Sequence, residues 1–311
     1  MRRAVDGRAT AIMLVFCLVM GLQQVAIKAV VNDISPLLQI SVRSGVAALL
    51  VWLFSRMAAR ERWLSGVALR AGPLVGILFA AEYFFMAEGL LWTSASHMAV
   101  FLYTAPIFAA VGLHIYLPEE RLSRLQWAGI GLAFLGIAIT FLVPSLAGGE
   151  VMASGWLFGD LLGLCAGLAW GMTTVAIRVS RLSEAPPTQT LFYQLAYACV
   201  LLLVIGEVTG QTVFHGTPLA WTSLIFQTLI VSFAATLTWF WLLRRYFAAR
   251  LGVLLFMTPL FGVAMGVILL GDRLSGAFLI GAVLVLAGLM VVNSQVWLPL
   301  LLRNRPWARA K

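Results

Sequence analysis

The chain has 311 residues, of which 62% are hydrophobic and only 11% carry charge, whereas a typical soluble domain has about 25% charged residues. Its mean hydropathy is +0.98. So few charges cannot cover the surface of a water-soluble globule, which excludes a cytosolic enzyme or a nucleic-acid-binding protein and indicates a polytopic α-helical membrane protein. The net charge of +9 lies mainly between apolar runs, so we attribute it to membrane orientation and not to a nucleic-acid partner.

The first ten residues, 1–10, contain Arg2, Arg3 and Arg8 and are predicted to be a cytoplasmic N-terminus. The apolar run from Ala11 to Val31 lacks a small-x-small cleavage site, so we interpret it as a retained helix and not as a secretory signal. About 20 residues are needed to cross ~30 Å of hydrocarbon. The apolar runs therefore predict ten membrane spans, at residues 11–31, 36–55, 72–93, 96–117, 124–143, 156–178, 188–206, 219–243, 251–271 and 276–297. The last residues, 298–311, are predicted to be a basic cytoplasmic tail.

Lysine and arginine are distributed unequally between the two ends of these spans. If the N-terminus is cytoplasmic, 18 of the 21 Lys and Arg residues lie in cytoplasmic segments, and only Arg273 lies on the opposite side. Lys28 and Arg43 fall within spans. Cytoplasmic loops of membrane proteins are enriched in these cations, so we expect both termini in the cytoplasm and an even number of spans.

The two halves of the chain resemble each other. The first-span residues Gly21, Val25, Ala26, Ile27 and Lys28 recur 150 positions later as Gly171, Val175, Ala176, Ile177 and Arg178. Further on, Pro106 matches Pro259, and the segment Glu120-Arg121-Leu122-Ser123 matches Asp272-Arg273-Leu274-Ser275. These matches predict two repeats, 11–143 and 156–297, of five spans each. Because five is odd, the second repeat enters from the opposite face, an inverted arrangement that many secondary transporters use. Lys28 should lie near the outer face and Arg178 near the inner face.

A family resemblance rests on three of these features. The step Thr93-Ser94-Ala95-Ser96, Pro106 ten residues later and the turn that starts at Glu120 resemble the EamA-type exporters of the drug/metabolite transporter superfamily. The resemblance implies an all-α membrane protein of ten helices in two inverted five-helix repeats. The chain is most similar to the YddG-type aromatic amino-acid exporters, which implies export of amino acids and related metabolites across the bacterial inner membrane. We expect a monomer.

Pro106 and Pro259 lie near the middle of the fourth and ninth spans. Proline removes a backbone donor and clashes with the preceding turn, so each helix should kink and free a carbonyl near the bilayer centre. A static packing kink and a flexible kink beside the substrate path are the two interpretations. The matching positions in the two repeats favour the second.

Span six carries a glycine at every fourth position, a pattern typical of close helix packing. These glycines are Gly155, Gly159, Gly163, Gly167 and Gly171. We expect them to pack against neighbouring helices, and sliding of the helix during transport is a further possibility. Trp170 lies beside this ridge and is a candidate to present an aromatic face to a cavity.

Charged residues within the spans are costly and therefore informative. Glu88 and Arg43 both fall ~8–12 Å below the outer surface, so we predict that Glu88 pairs with Arg43 or Lys28. Snorkelling of the two cations, with the glutamates protonated, is the alternative. Glu82, near the centre of the third span, is interpreted either as the carrier of a coupling proton or as a structural hydrogen-bond donor. Asp160 is expected at the membrane interface.

Most aromatic residues of a membrane protein face lipid or the core, but several here are candidates for substrate binding. They are Tyr83 beside Glu82, Tyr103 one turn before Pro106, Trp170, and Tyr193 with Gln194 in span seven. The resemblance places Tyr103, Pro106 and Trp170 at cavity positions of YddG-type exporters. Where that family often has an aromatic residue before the proline, this chain has Ala105, which bears on pocket shape and aromatic selectivity. Pro259 joins the set as the repeat partner of Pro106.

The chain lacks the sequence patterns of common enzymes. It has no HExxH, no GxSxG and no phosphate-binding glycine loop, and its histidines are scattered, so we predict no catalytic residues, no metal site and no cofactor. We predict a secondary transporter with a cavity lined by spans three, four, six, seven, eight and nine. The alternatives are a broad-specificity drug or nucleobase/metabolite exporter, an intramembrane enzyme that uses Ser94, Ser96 and His97, and a channel. Its partners would be a small-molecule substrate and the lipid bilayer.

Overall fold

The computed structural model describes residues 6–66, 71–146, 155–246, 251 and 254–294. The predicted tail 298–311, the last residues of the tenth span, and the cations Arg2, Arg3, Arg70 and Arg250 lie outside these ranges. The described residues form ten helical segments, as the hydropathy predicts. They are α1 Gly7–Ala29, α2 Pro36–Ala58, α3 Ala71–Trp92, α4 Ala95–Tyr116, α5 Arg124–Leu146, α6 Trp156–Val179, α7 Pro187–Thr209, α8 218–245, α9 Met257–Leu270 and α10 Gly276–Val292. The first eight are long and apolar enough to cross a membrane, and α9 and α10 are shorter apolar helices.

Helix α4 is interrupted, and helix α9 begins, at positions that match in the two repeats. The first half of α4 ends at Leu102, and the second half starts at Ala105 with Pro106 in its first turn. At the break, the Phe101 carbonyl accepts from the Thr104 backbone N–H at 3.1 Å and from the Thr104 hydroxyl at 2.6 Å. In α9, Pro259 likewise lies in the first turn after Met257. The prolines therefore start helical pieces, which is a stronger interruption than the predicted kink.

The glycine ridge of α6 packs closely, as predicted. A Cβ on Gly159 would meet the Gly89 carbonyl of α3 at 2.9 Å, and a Cβ on Gly167 would meet the Phe101 carbonyl of α4 at 2.8 Å. A Cβ on Gly171 would meet the Ala105 carbonyl at 2.7 Å. Because only glycine permits these approaches, α6 lies directly against α3 and both halves of α4.

The packing has the pattern of an inverted repeat. Helices α5 and α10, which occupy the same place in the two repeats, pack against each other, and so do α2 and α7. Between α5 and α10 the backbones meet at Gly129 and Gly288 and again at Gly136 and Gly281. Helix α3 packs along α6, but the equivalent pair α8 and α1 touches far less in the described part of the chain. The difference leaves space beside α1 and α8.

We expect Gly136→Ala to lower the stability of the protein by about 1–3 kcal/mol, because the added Cβ would lie 2.9 Å from the Val285 backbone nitrogen of α10 and must displace it. The matched control is Gly131→Ala on the same helix, where a Cβ would have no neighbour within 4 Å. Both changes gain about 1 kcal/mol of helix propensity, so their difference isolates the clash. Thermal unfolding of the detergent-purified protein measures it. Equal unfolding temperatures for the two variants would contradict this packing.

Candidate functional site

A chamber occupies the space between the two repeats. It consists of two adjoining cavities of about 470 Å³ and 380 Å³ that share five lining residues. The shared residues are Met20, Tyr103, Trp170, Thr236 and Trp239. Volumes of this order are typical of sites that bind small molecules.

The larger cavity is the polar compartment of the chamber. Its polar lining residues include Gln23 and Gln24 of α1, Glu82 and Tyr83 of α3, and Gln194 of α7. The cavity reaches the connection between α6 and α7, where Leu182, Ser183, Ala185 and Pro187 line it. That connection lies at the end of the bundle where α1 begins, which we call the N-terminal face. In this structure the chamber is therefore accessible from the N-terminal face.

The smaller cavity is the apolar compartment. It is lined mostly by apolar side chains, including Phe16, Pro106, Phe256, Pro259 and Leu289, with Asn293 and Thr236 as its polar members. Both prolines of the interrupted helices thus border the chamber. The two compartments together form a site with one polar and one apolar end.

Aromatic pairs form much of the chamber wall. The rings of Tyr103 and Trp170 meet edge to face at 5.3 Å between centroids, and those of Phe16 and Trp239 stack at 5.6 Å. Helix α3 adds Tyr83, whose ring meets that of Phe79 at 4.7 Å. Rings packed in these geometries hold each other in place and present flat apolar faces to a ligand.

The face opposite the N-terminal face is closed by polar contacts. Asp272, in the connection between α9 and α10, accepts from the Ser96 backbone N–H at 2.9 Å and from the Ser96 hydroxyl at 2.6 Å. Asp160 of α6 accepts from the Thr93 hydroxyl at 2.5 Å and lies 2.8 Å from His97 Nδ1. These contacts join the start of α4 to the second repeat.

Asp160, which the sequence places near the membrane interface, is buried inside the protein. Its side chain is completely buried, and both of its oxygens are engaged. The His97 ring, which stacks on Phe278 with a centroid distance of 3.8 Å, is fixed by the same contact. A charge at the end of a helix can be internal when a neighbouring helix end supplies its partners, and here the Thr93–His97 step does so.

The predicted ion pair of Glu88 is also wrong, because among the described residues no basic group lies within 4.0 Å of its carboxyl oxygens. Arg43 Nη1 donates to Gln227 Oε1, and the guanidinium lies over the Tyr83 ring, 4.7 Å from its centroid. Lys28 Nζ donates to the Leu90 carbonyl at 2.6 Å. The acidic group in electrostatic contact with Arg43 is Glu82 and not Glu88. The prediction rested on the equal depth of Glu88 and Arg43 in the membrane. Equal depth does not ensure that two side chains meet, and these two do not form an ion pair.

Six of the seven predicted substrate-binding residues line the chamber, namely Tyr83, Tyr103, Pro106, Trp170, Gln194 and Pro259. Tyr193 does not. Its ring packs against Trp63, with 6.2 Å between centroids, and its hydroxyl accepts from Gln189 Nε2 at 3.1 Å. One residue along an α-helix turns the side chain by about 100°, which separates Tyr193 from Gln194.

Helices α1 and α10 also line the chamber, although the first and tenth spans were not among those predicted to line the cavity. Helix α1 contributes Phe16, Met20, Gln23 and Gln24. Two adjacent glutamines in the middle of an apolar run are a signal that could have identified them. Trp239 of α8 has no comparable signal, since it lies among other apolar and aromatic residues.

A model of the EamA-like transporter family matches the chain at residues 8–142 and 157–294. The chain is 29% identical over 288 residues to a probable amino-acid metabolite efflux pump of Salmonella typhimurium, covering 89% of this chain and 92% of the relative. It is 24% identical over 283 residues to the uncharacterized transporter YoaV of Bacillus subtilis, covering 88% and 92%. A solved crystal structure with 19% identity covers 94% of this chain and 99% of its own, with a TM-score of 0.60, and shares the fold.

The chamber geometry predicts which side chains react from the N-terminal face. In a chain with Cys17, Cys165 and Cys199 replaced by alanine, we expect Gln194→Cys to react with a membrane-impermeant maleimide from the side that labels Ser183→Cys. Ser183 is exposed at the chamber mouth and Gln194 lines the interior.

The matched control is Ala198→Cys, one turn along α7, which is fully buried and should stay unlabelled. Labelling rates in oriented vesicles measure the difference. Reaction of Gln194→Cys only from the other side, or at the rate of Ala198→Cys, would contradict an opening at the N-terminal face.

Proposed function

The chain belongs to the EamA-like transporter family, and we propose on this premise that it exports amino acids with aromatic or apolar side chains by alternating access. It is a multi-pass membrane transporter and not an enzyme. Relatives described as probable amino-acid metabolite efflux pumps support an exporter. The choice of amino acids within that class is our proposal.

The observation that carries the proposal is the two-ended chamber. An amino acid with an aromatic or apolar side chain has one polar, charged end and one apolar end. The polar compartment offers Gln24, Glu82 and Gln194, and the apolar compartment offers Phe256 and Leu289. Such a ligand can satisfy both compartments at once, whereas a wholly apolar or wholly polar molecule leaves one of them unsatisfied.

The positions of the lining residues support a proposed role for each. We propose that Tyr103 and Trp170, which line both compartments, contact the side chain of the substrate at the middle of the chamber. Tyr83 and Gln194 would contact its polar end, and Pro106 and Pro259 would shape the apolar end. The absence of an aromatic side chain at Ala105, which is itself buried, leaves the wall beside Pro106 to Tyr103 and Trp170.

The interrupted helices suggest how the chamber alternates between the two faces. Pro106 and Pro259 border the chamber in equivalent positions of the two repeats, so a change at one would be mirrored by a change at the other. We propose that these interruptions flex between a state open at the N-terminal face and a state open at the opposite face. The present shape would be the first of these.

Charge distribution supports an orientation with both termini in the cytoplasm of a bacterial inner membrane. At the N-terminal face lie the helix ends and connections that hold Arg8, Arg56, Arg121, Arg178 and Arg245. Among the described connections of the opposite face, Arg273 is the cation. By the positive-inside rule the N-terminal face would be cytoplasmic, and the chamber as seen here would face the cytoplasm.

The charged residues within the spans fall into two groups, those that line the chamber and those that do not. Glu82 lines the chamber, so a coupling role would fall to it. Arg43, Lys28 and Glu88 do not line the chamber, and we propose that they serve the structure. Arg43 and Lys28 do so through their bonds to Gln227 and to the Leu90 carbonyl.

Counterflow in proteoliposomes tests the function. We expect saturable, trans-stimulated uptake of labelled phenylalanine, tryptophan and leucine, and none of glutamate or lysine. Trp170→Ala should raise the KM for tryptophan roughly tenfold, because it removes a chamber wall worth about 1.4 kcal/mol of contact.

The matched control is Trp221→Ala, whose ring is half exposed at the opposite face and packs on Phe214, and which should transport like the wild type. Counterflow of drugs or nucleobases without amino acids would replace the proposal with a broader exporter. Uptake that neither saturates nor shows trans-stimulation would indicate a channel.

A further inference from the structure

Two side chains in the wall of the polar compartment are buried without partners. Glu82 is 5% exposed, its Oε2 is buried without a hydrogen-bond partner, and the residue forms no ion pair within the described part of the chain. Gln24 is 1% exposed, and its Oε1 has no hydrogen-bond partner. Buried polar groups in proteins nearly always have partners, so two unpaired acceptors in one chamber wall require an explanation.

An unpaired oxygen does not by itself make a site. Glu88, on the same helix as Glu82, also has a buried Oε1 without a partner, but it does not line the chamber. What distinguishes Glu82 is that it lines, together with Gln24, a cavity large enough for a small molecule. A ligand in that space can reach Glu82 and cannot reach Glu88.

Arg43 is a countercharge for Glu82 but forms no ion pair with its carboxyl oxygens. The guanidinium is in electrostatic contact with Glu82, yet more than 4.0 Å separates the two groups. It is held there by Gln227, which accepts from Arg43 Nη1 and donates to the Gln23 carbonyl at 2.7 Å, and by the Tyr83 ring. Arg43 does not line the chamber. The carboxyl group therefore has a countercharge nearby and an acceptor atom, Oε2, that lacks a partner.

We propose that Glu82 and Gln24 form a binding site for the primary ammonium group of the substrate. An ammonium has three N–H donors and no acceptor, so it matches a wall that presents a carboxylate and a carboxamide oxygen. A bond between ammonium and carboxylate is charge-assisted and is stronger than a bond between neutral groups. A carboxylate in the same place would meet like charge and find no donor on Glu82.

This inference rests on the proposed transport of amino acids and narrows the substrate class. The substrates are primary amines with an apolar or aromatic tail, and the ammonium is the group that the site recognises. Amines that lack the α-carboxylate should therefore bind. Acids that lack the amino group should not.

The experiment compares three ligands that share one side chain. Phenylalanine carries both charged groups, phenethylamine lacks the carboxylate, and 3-phenylpropionate lacks the ammonium. Each competes unlabelled against counterflow of labelled phenylalanine in proteoliposomes. With the wild type, we expect phenethylamine to compete within about threefold of phenylalanine and 3-phenylpropionate to be at least tenfold weaker.

Substitutions at Glu82 and Glu88 test whether the preference for amines depends on Glu82. Glu82→Gln should weaken competition by phenylalanine and phenethylamine at least tenfold and leave that by 3-phenylpropionate unchanged, so that the preference for amines disappears. Glu82→Asp should keep the preference at lower affinity, because it retains the carboxylate. Glu88→Gln, which removes a charge from the same helix outside the chamber, should behave as the wild type.

The outcomes separate this inference from the proposed function. If the wild type shows no counterflow of phenylalanine or of the other amino acids, the proposed function fails. If it transports phenylalanine but 3-phenylpropionate competes as well as phenethylamine, the ammonium site is overturned. Unchanged amine preference in Glu82→Gln would also overturn it. Should Glu82→Gln not elute as a folded protein, Glu82→Asp and the three-ligand comparison in the wild type decide the question.

Discussion

The hydrocarbon core of a bilayer supplies no hydrogen-bond partners, so each polar group within the spans must find one inside the protein. In several places the described structure meets this constraint by linking helices through buried polar side chains. Gln39 Nε2 of α2 donates to Ser223 of α8 at 2.5 Å, and the Ser223 hydroxyl donates to the Ala26 carbonyl of α1 at 2.8 Å. Together with Arg43 and Gln227, these bonds tie α1, α2 and α8 together. The constraint explains why unpaired groups that border the chamber stand out as sites for a ligand.

The inverted repeat relates two pairs of charged residues, one at each face, and the two pairs are bonded differently. Arg178 Nε donates to Glu120 Oε1 at 3.0 Å at the N-terminal face. The residues that match Arg178 and Glu120 through the repeat, Lys28 and Asp272, are electrostatic neighbours but do not form an ion pair within 4.0 Å in the described structure. Instead Lys28 donates to the Leu90 carbonyl, and Asp272 accepts from Ser96. The same residue types are thus bonded differently at the open and the closed face, as two repeats in different conformations require.

The sequence predicts the number of spans, their approximate ends and the repeat. These features depend on hydropathy, length and spacing, which can be taken directly from the order of residues along the chain. It also predicts that the α6 ridge packs closely and that prolines disturb two helices, although it predicts kinks where the structure has interruptions. It fails for the partner of Glu88 because rise per residue fixes only depth in the membrane. The direction of a side chain around its helix is set by packing against neighbours, and in these spans apolar residues surround the helices on all sides. Tyr193 and Gln194 differ for the same reason.

The interruption of α4 places the two faces of the protein on separate pieces of one helix. The first piece, Ala95–Leu102, is buried throughout and carries the Ser96 contact that closes the opposite face. The second piece, Ala105–Tyr116, leads to the connection that holds Glu120 at the N-terminal face. Tyr103 lies at the junction and lines both compartments of the chamber. A ligand that contacts Tyr103 therefore acts on the point where the two pieces meet. Because the pieces are not joined by a continuous helix, their relative position can change without breaking the hydrogen bonds within either piece.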